Sequence, residues 1–344
     1  MVMSNSHRFL TLALGGSFVL GCSIDEEELC GEPRGDDEVG VVGEGVSQDR
    51  DGPEPIEFVE YQVDDVLAVE VLAQEPRSWE NEDPRWPVTS ESTLQEYPLR
   101  TVVQTRLAYP TPGGDLSIIR GSGFLAGPRH VITNRHTAVA PGVNVNEMIE
   151  DEPALFDFSV FPGRSNVAIL NGGDWRVERV LYNPYPVTEY DDYAILVLED
   201  DPERSGQYGR MGVCEFSKGT LDGLWVSSAG FPGADQDCEH TPDDPIPGVS
   251  DCPCGGWMYL QSCWVEDVDP QELTLSCVVQ SGQSGSPVWF DGCGSDETRC
   301  TVGILYGSTG LSTGAVRWED EDVEWLRSNI CAWPSQYAVM PSFC

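Results

Sequence analysis

At 344 residues, with 40% hydrophobic and 9% aromatic side chains, the chain can bury a sizeable core, and all-β units of two barrels reach roughly 200–250 residues as one domain. Its 36 Gly and 25 Pro favour turns over long helices. Nineteen basic against 58 acidic residues give a formal charge of -39, which repels phosphate backbones and anionic lipid and so excludes nucleic acid as a partner. The same charge fits attraction of cationic substrates or, more simply, solubility and self-repulsion outside the cell.

Residues 1–22 run from a short segment holding Arg8 through an apolar stretch, Phe9 to Leu20, to Gly21 and Cys22. This is the grammar of an export signal, too short to span a membrane as a mature helix. Val19-Leu20-Gly21-Cys22 resembles a bacterial lipobox, which implies cleavage before Cys22 and a diacylglycerol on its sulfur, holding the protein on a membrane. Ser23 then fits outer-membrane delivery. Leu20 departs from the small residue usual there, so plain secretion stays as the alternative. The segment from Asp25 to Glu38 is acid-rich with Arg34 as its one cation. It cannot bury enough apolar surface to order itself, and residues 23–95 are expected to form an acidic tether or a propeptide-like segment. Within them, Pro53 to Ser92 shows apolar alternation that would allow a strand pair or a cover.

From about Glu96 the texture changes to short β-branched and aromatic runs punctuated by Gly, Pro, Asp and Asn. They are YPLRTVVQTRLAY, LSIIRGSGFLAG, HVITNRHTAVA, DWRVERVLY, YAILVLE, LWVSSAGF, WMYLQSCWV, LTLSCVVQ, SPVWF and TVGILYG. This pattern predicts an all-β barrel or sandwich and argues against a parallel α/β sheet. Near the end, Val323, Leu326 and Ile330 fall at helical spacing behind acids that favour a helix start, so one C-terminal helix is expected over Asp320–Ile330.

The cysteines are 22, 30, 214, 238, 252, 254, 263, 277, 293, 300, 331 and 344. Such density does not suit a reducing cytosol. With Cys22 and Cys30 set aside the remainder is even in number and lies beyond residue 213, which predicts five disulfides there. Cys252-Pro-Cys254 lacks the spacing of a zinc knuckle, and no histidine pair has ligand spacing. No metal or organic cofactor is implied.

Cleaving an amide through a serine needs an imidazole to take the hydroxyl proton, a buried carboxylate to orient it and N–H donors for the oxyanion. Ser284, in SGQSGSPVW, lies between glycines that let the chain turn tightly, so that the N–H groups of Gly282 and Ser284 could share one pocket. His7 lies in the signal, which leaves His130, His136 and His240. His136 follows a strand and enters a small-residue turn, whereas His130 has the flanks of an exposed turn (GPRH). Asp192 opens an apolar strand, and Asp191, one residue away, would face the other side.

Three blocks, GSGFLAGPRHVITNRHTAV, DDYAILVLE and SGQSGSPVW, resemble the His, Asp and Ser motifs of trypsin-like serine proteases, in that order. The branch they resemble is that of the bacterial glutamyl endopeptidases, whose nucleophile loop is matched by Gly282 to Pro287 and whose final strand and helix are matched by GAVRWEDEDVEWLRSNI. The resemblance spans about residues 97–331. It implies a double six-stranded antiparallel β-barrel with a C-terminal helix, residues 96–344, and a cleft between barrels. It also implies His136 as general base and acid, Asp192 as its orienter and Ser284 as nucleophile.

Two departures matter. Gln283 carries no charge where many animal members have an Asp that pairs with a new N-terminus. GILYG, with Leu305 and Tyr306, stands where glutamate-specific members carry a pocket histidine, so no glutamate preference is implied. Val278 and Val279, with Leu305 and Tyr306, are expected to line a substrate pocket for apolar or small residues.

Each motif has a bland reading as a turn or a structural histidine; it is their conjunction and order that point to catalysis. Gly310-Leu311-Ser312-Thr313-Gly314 mimics a hydrolase nucleophile elbow, but that fold needs a histidine after the serine, and the last one is His240. The expected function is a secreted or lipid-anchored serine endopeptidase acting on proteins or peptides. The alternative is an inactive protease-like lipoprotein serving as a binding or scaffold module, and an esterase on the same scaffold is a third possibility.

Overall fold

The computed structural model describes residues 86–88, 90–111, 114–151, 156–165, 168–169, 174–183, 189–233, 257–290, 299–308 and 313–344. The export signal, Cys22, Cys30, the acidic segment through residue 85, His240, Cys238, Cys252, Cys254 and Cys293 lie outside them, as do Gly310 to Ser312.

The first half of the domain supplies six strands: β1 (Val102–Pro110), β2 (Leu116–Gly127), β3 (His130–Thr133), β4 (Asp157–Pro162), β5 (Trp175–Tyr182) and β6 (Ala194–Leu198). They pair antiparallel in the closed ring β1-β2-β3-β6-β5-β4. Alternation explains the closure. Along β4, Phe158 and Val160 point inward, while Trp175, Val177 and Val180 do so along β5 between exposed Arg176 and Glu178. Strand β6 is buried along its whole length because the C-terminal helix packs on its outer side.

The second half repeats the plan with β7 (Trp225–Gly230), β8 (Tyr259–Val268), β9 (Glu272–Leu275), β10 (Pro287–Trp289), β11 (Cys300–Ser308) and β12 (Thr313–Arg317). Their antiparallel pairings form the ring β7-β8-β9-β12-β11-β10, which β7–β10 pairing closes. The order of strands in the ring is therefore the same in both barrels. Trp86 and Pro87 pair with Leu260 and Tyr259 of β8, so the chain just before residue 96 is joined to this sheet.

The C-terminal helix spans Asp320–Ala332 and buries Val323, Leu326 and Ile330, the predicted stripe. A reciprocal capping box between Glu319 and Asp322 satisfies its first N–H groups. Tyr193, at the head of β6, packs edge-on against Trp318 and Trp325 and donates to Asp322 at 2.6 Å, which fixes the helix against the first barrel. Of the ten cysteines beyond residue 213, six pair among the described residues: Cys214–Cys300, Cys263–Cys277 and Cys331–Cys344. The helix Val145–Asp151 and strand β4 were not anticipated from sequence.

Candidate active site

His136 lies on one helical turn, Arg135–Ala138, entered directly from β3. Asn134 stays extended at the turn's start, and its carbonyl accepts the Thr137 hydroxyl at 2.9 Å. The Asn134 side chain donates to the Asp192 carbonyl at 2.8 Å, clamping the two loops together. Asp192 then receives two bonds from one residue: the backbone N–H of His136 reaches Oδ1 at 2.8 Å, and ring Nδ1 lies 2.5 Å from Oδ2. Asp192, not its neighbour Asp191, makes both contacts. The carboxylate is 19% exposed and the imidazole 48%, so the acid is largely shielded while the far side of the ring stays open.

Ser284 sits at the tip of the turn before β10, between Gly282 at φ 90° and Gly285 at φ 87°. Both glycines occupy the region that side chains avoid, and space forbids a side chain as well. A Cβ on Gly285 would collide with the Ser122 carbonyl and the Thr133 hydroxyl and lie 3.1 Å from the Asn134 nitrogen. That close approach presses the serine turn against the end of β3, three residues before His136.

Ser122 of β2 completes the seam. Its N–H donates to the Ser284 carbonyl and its hydroxyl to the Gly282 carbonyl, each at 2.8 Å, while its oxygen accepts from Phe231 N–H. Bonds from Ser286 N to Gln283 O and from Gly285 N to Leu305 O hold the turn itself. Among the described residues, no acceptor is taken by the N–H of Gly282 or of Ser284. The Ser284 hydroxyl points to the Tyr306 carbonyl at 3.4 Å rather than to the imidazole.

Two expectations are corrected here. Leu305 does not line an open pocket: it is fully buried in the second barrel's core with Leu273, Leu275 and Ala315. A register shift between Leu305 and Gly307 leaves Tyr306 on the outer face, where its ring meets Tyr190 edge-on and its hydroxyl donates to Glu272. Val278 and Val279 are half-buried beside the loop that leads to Ser284. His130 is not on an exposed turn but fully buried in β3, and burial, with Arg129 adding to it, pushes its imidazole down to about 4. Burial also raises the Tyr193 phenol and its partner Asp322.

Sequence reasoning did not single out Ser122, Asn134 or Tyr193 as site supports. Each stands within the blocks that carry the resemblance, but its role depends on partners far away in the chain.

A family model described as a trypsin-like peptidase domain matches residues 121–295, more than half of the chain and a span that includes His136, Asp192 and Ser284. No curated protein matches the sequence significantly. Among solved structures the chain is similar to a Glu endopeptidase in complex with MPD, at 16% identity over 72% of this chain and 97% of that one, with a TM-score of 0.49. It is also similar to protease Anisep from Arthrobacter nicotinovorans, at 18% identity over 65% and 92% of the two chains, TM-score 0.44.

Proposed function

Because the chain belongs to the trypsin-like peptidase family, we propose that it is an exported serine endopeptidase in which Ser284, His136 and Asp192 form the catalytic triad. The observation that carries the reading is the doubly bonded His136–Asp192 pair set beside a serine turn whose two N–H groups take no acceptor among the described residues.

An ionised carboxylate only accepts, so Nδ1 of His136 is the donor towards Asp192 and Nε2 carries the free lone pair. Nε2 takes the Ser284 proton as Oγ bonds to the peptide carbonyl carbon. The oxygen that gains charge is received by the N–H groups of Gly282 and Ser284, the oxyanion hole. The proton then passes from His136 to the leaving nitrogen as the C–N bond breaks, and water repeats the sequence to free the acid and restore Ser284. The Ser284–imidazole hydrogen bond forms with substrate in place, as apo sites often show long catalytic bonds.

The pocket beside Ser284 is read as lined by Val278, Val279 and Tyr306, which suits apolar or small side chains. Residues 1–22 are read as the export signal, with lipid on Cys22, and residues 23–85 as the acidic tether. The catalytic domain, expected from residue 96, is read as extending back to Trp86, because Trp86 and Pro87 pair with β8 and Leu94 is buried in the core. Paired cysteines support a compartment outside the cytosol.

A fluorophosphonate probe applied to the full chain should label Ser284, and Ser284→Ala should lose the label together with about five orders of magnitude in peptide turnover. A folded wild type that takes no label would make the chain a binding module instead.

A further inference from the structure

Antiparallel register puts Arg106 of β1 directly opposite Arg120 of β2, and Gln104 opposite Ser122. Opposed residues share a face, and so do residues two apart along a strand, so Leu116, Ile118, Arg120, Ser122 and Arg106 line one outer face of the first barrel. At one end of that face Ser122 touches the serine turn through the carbonyls of Gly282 and Ser284. Further out it opens to solvent, with Ile118 46% and Leu116 63% exposed.

The charge on this face runs against that of the whole molecule. Phe161 of β4 is nearly covered, with the guanidinium of Arg164 at 4.9 Å and that of Arg106 at 5.4 Å from its ring centre. Arg106 pairs with Asp157, the one carboxylate among the described residues bonded to the group. Arg120 and Arg164 have no hydrogen bond or ion pair to any described residue. Arg164 is half-buried, and that burial, with the repelling charges of Arg106 and Arg120 beside it, lowers its guanidinium from its ordinary value. A protein with 19 basic residues in 344 has thus gathered three of them beside one another on the first barrel, with a single carboxylate bonded to them among the described residues.

We infer that this arginine shelf binds carboxylate side chains of the polypeptide being cut, so that the substrates are acidic proteins or peptides with apolar residues next to the acids. The inference rests on the proposed peptidase activity and names its substrate class. Ser284 lies between the Tyr306 carbonyl of the second barrel and Ser122 of the first. A polypeptide laid across it therefore sends one flank over the first barrel, where Ile118 meets an apolar side chain and Arg120, Arg106 and Arg164 meet carboxylates. The formal charge of -39 repels such a chain at long range, but salt screens that repulsion beyond about 8 Å. Within that distance the nearest charges decide, and guanidiniums bind carboxylates through paired N–H donors.

The test uses the full chain and pairs of quenched fluorescent peptides, identical except that Glu on either flank of the scissile bond is replaced by its isostere Gln. Wild type should cut the Glu peptide with about tenfold higher kcat/KM at low salt, the advantage residing in KM and shrinking as salt rises. In the double variant Arg120→Gln, Arg164→Gln the Glu-to-Gln ratio should fall towards one, and Arg120→Lys should restore part of it. If wild type cuts both peptides equally, or if the preference survives in the double variant, the shelf inference fails while the peptidase reading stands. Wild type that cuts neither peptide and takes no fluorophosphonate label removes both. Equal cutting joined to faster proteolysis of residues 23–85 in the double variant would assign the shelf to the chain's own acidic segment and overturn the substrate inference.

Discussion

The first barrel packs Phe158 and Trp175 among its aliphatic side chains, whereas the separate core cluster of the second, Val226, Val265, Val268, Leu273, Leu275, Val288, Val302, Leu305 and Ala315, has no aromatic ring among its described buried members, Trp289 of β10 belonging to the larger cluster. Two positions of that smaller core are cysteines, Cys263 and Cys277, bonded to each other. No cysteine at all occurs between Cys30 and Cys214, so the first barrel closes without one. The same ring of strands is thus held by volume in one case and by a covalent link in the other. The difference is explained by area, since burial contributes about 25 cal/mol per Å² and rings remove the most surface from water. The site divides along the same line, with His136 and Asp192 carried by the first barrel and Ser284 by the second.

That division is sharpened most by the acid. Asp192→Asn keeps the side chain's size but turns an acceptor towards a donor, so the imidazole loses the tautomer that serves Ser284. The expected loss is about four orders of magnitude in kcat, with peptide KM little changed. Asp191→Asn, one residue earlier, should cost less than about tenfold. Steady-state kinetics of the two variants on one peptide decides the matter. The reverse order would show that the first barrel orients His136 through a different carboxylate.

The second barrel's covalent closure gives the next effect. Cys263 and Cys277 are 14 residues apart, and opening a loop of that size is expected to cost about 3 kcal/mol. In the double variant Cys263→Ser, Cys277→Ser, hydrogen exchange should rise in β8 and β9 first and leave β1, β5 and β6 protected. Uniform loss of protection would mean that the two barrels unfold as one unit and that the contrast in their cores has no energetic expression.

Much of this plan was legible in the sequence, because most strands announce themselves by β-branched and aromatic runs cut by turn residues. Strand β4 was missed although Phe158 and Val160 alternate cleanly, since FDFSVFP is short and ends at once in Pro162-Gly163. His136 and Asp192 were legible because their surroundings, a strand running into a small-residue turn and an acid heading an apolar strand, are local features. Leu305 was misplaced for the opposite reason. Which of Leu305 and Tyr306 faces outward depends on a bulge in the pairing of β11 with β12, and a bulge is set by the partner strand. His130 was misread because Pro128 and Arg129 complete the turn one residue earlier, so that His130 already pairs with Gly127 inside the sheet.

His130 also gives the smallest effect, and it tests the first barrel's reliance on packing. In the folded protein its imidazole is held near 4 by burial and by Arg129, with the Trp333 backbone and Asp200 opposing them, against about 6.5 in the unfolded chain. The unfolded state therefore binds the extra proton between those values. Stability is fully present above about pH 6.5, falls as pH drops and levels off below about 4. Between pH 7 and pH 5 the loss from this one group is about 2 kcal/mol. His130→Leu, which keeps an apolar filler and removes the titration, should flatten that part of the profile when urea unfolding is followed by tryptophan fluorescence at each pH. An unchanged slope in the variant would place the acid sensitivity elsewhere. A variant that unfolds at pH 7 would show that β3 depends on the imidazole's fit rather than on its neutrality, so that even the barrel held by volume hangs on one polar ring.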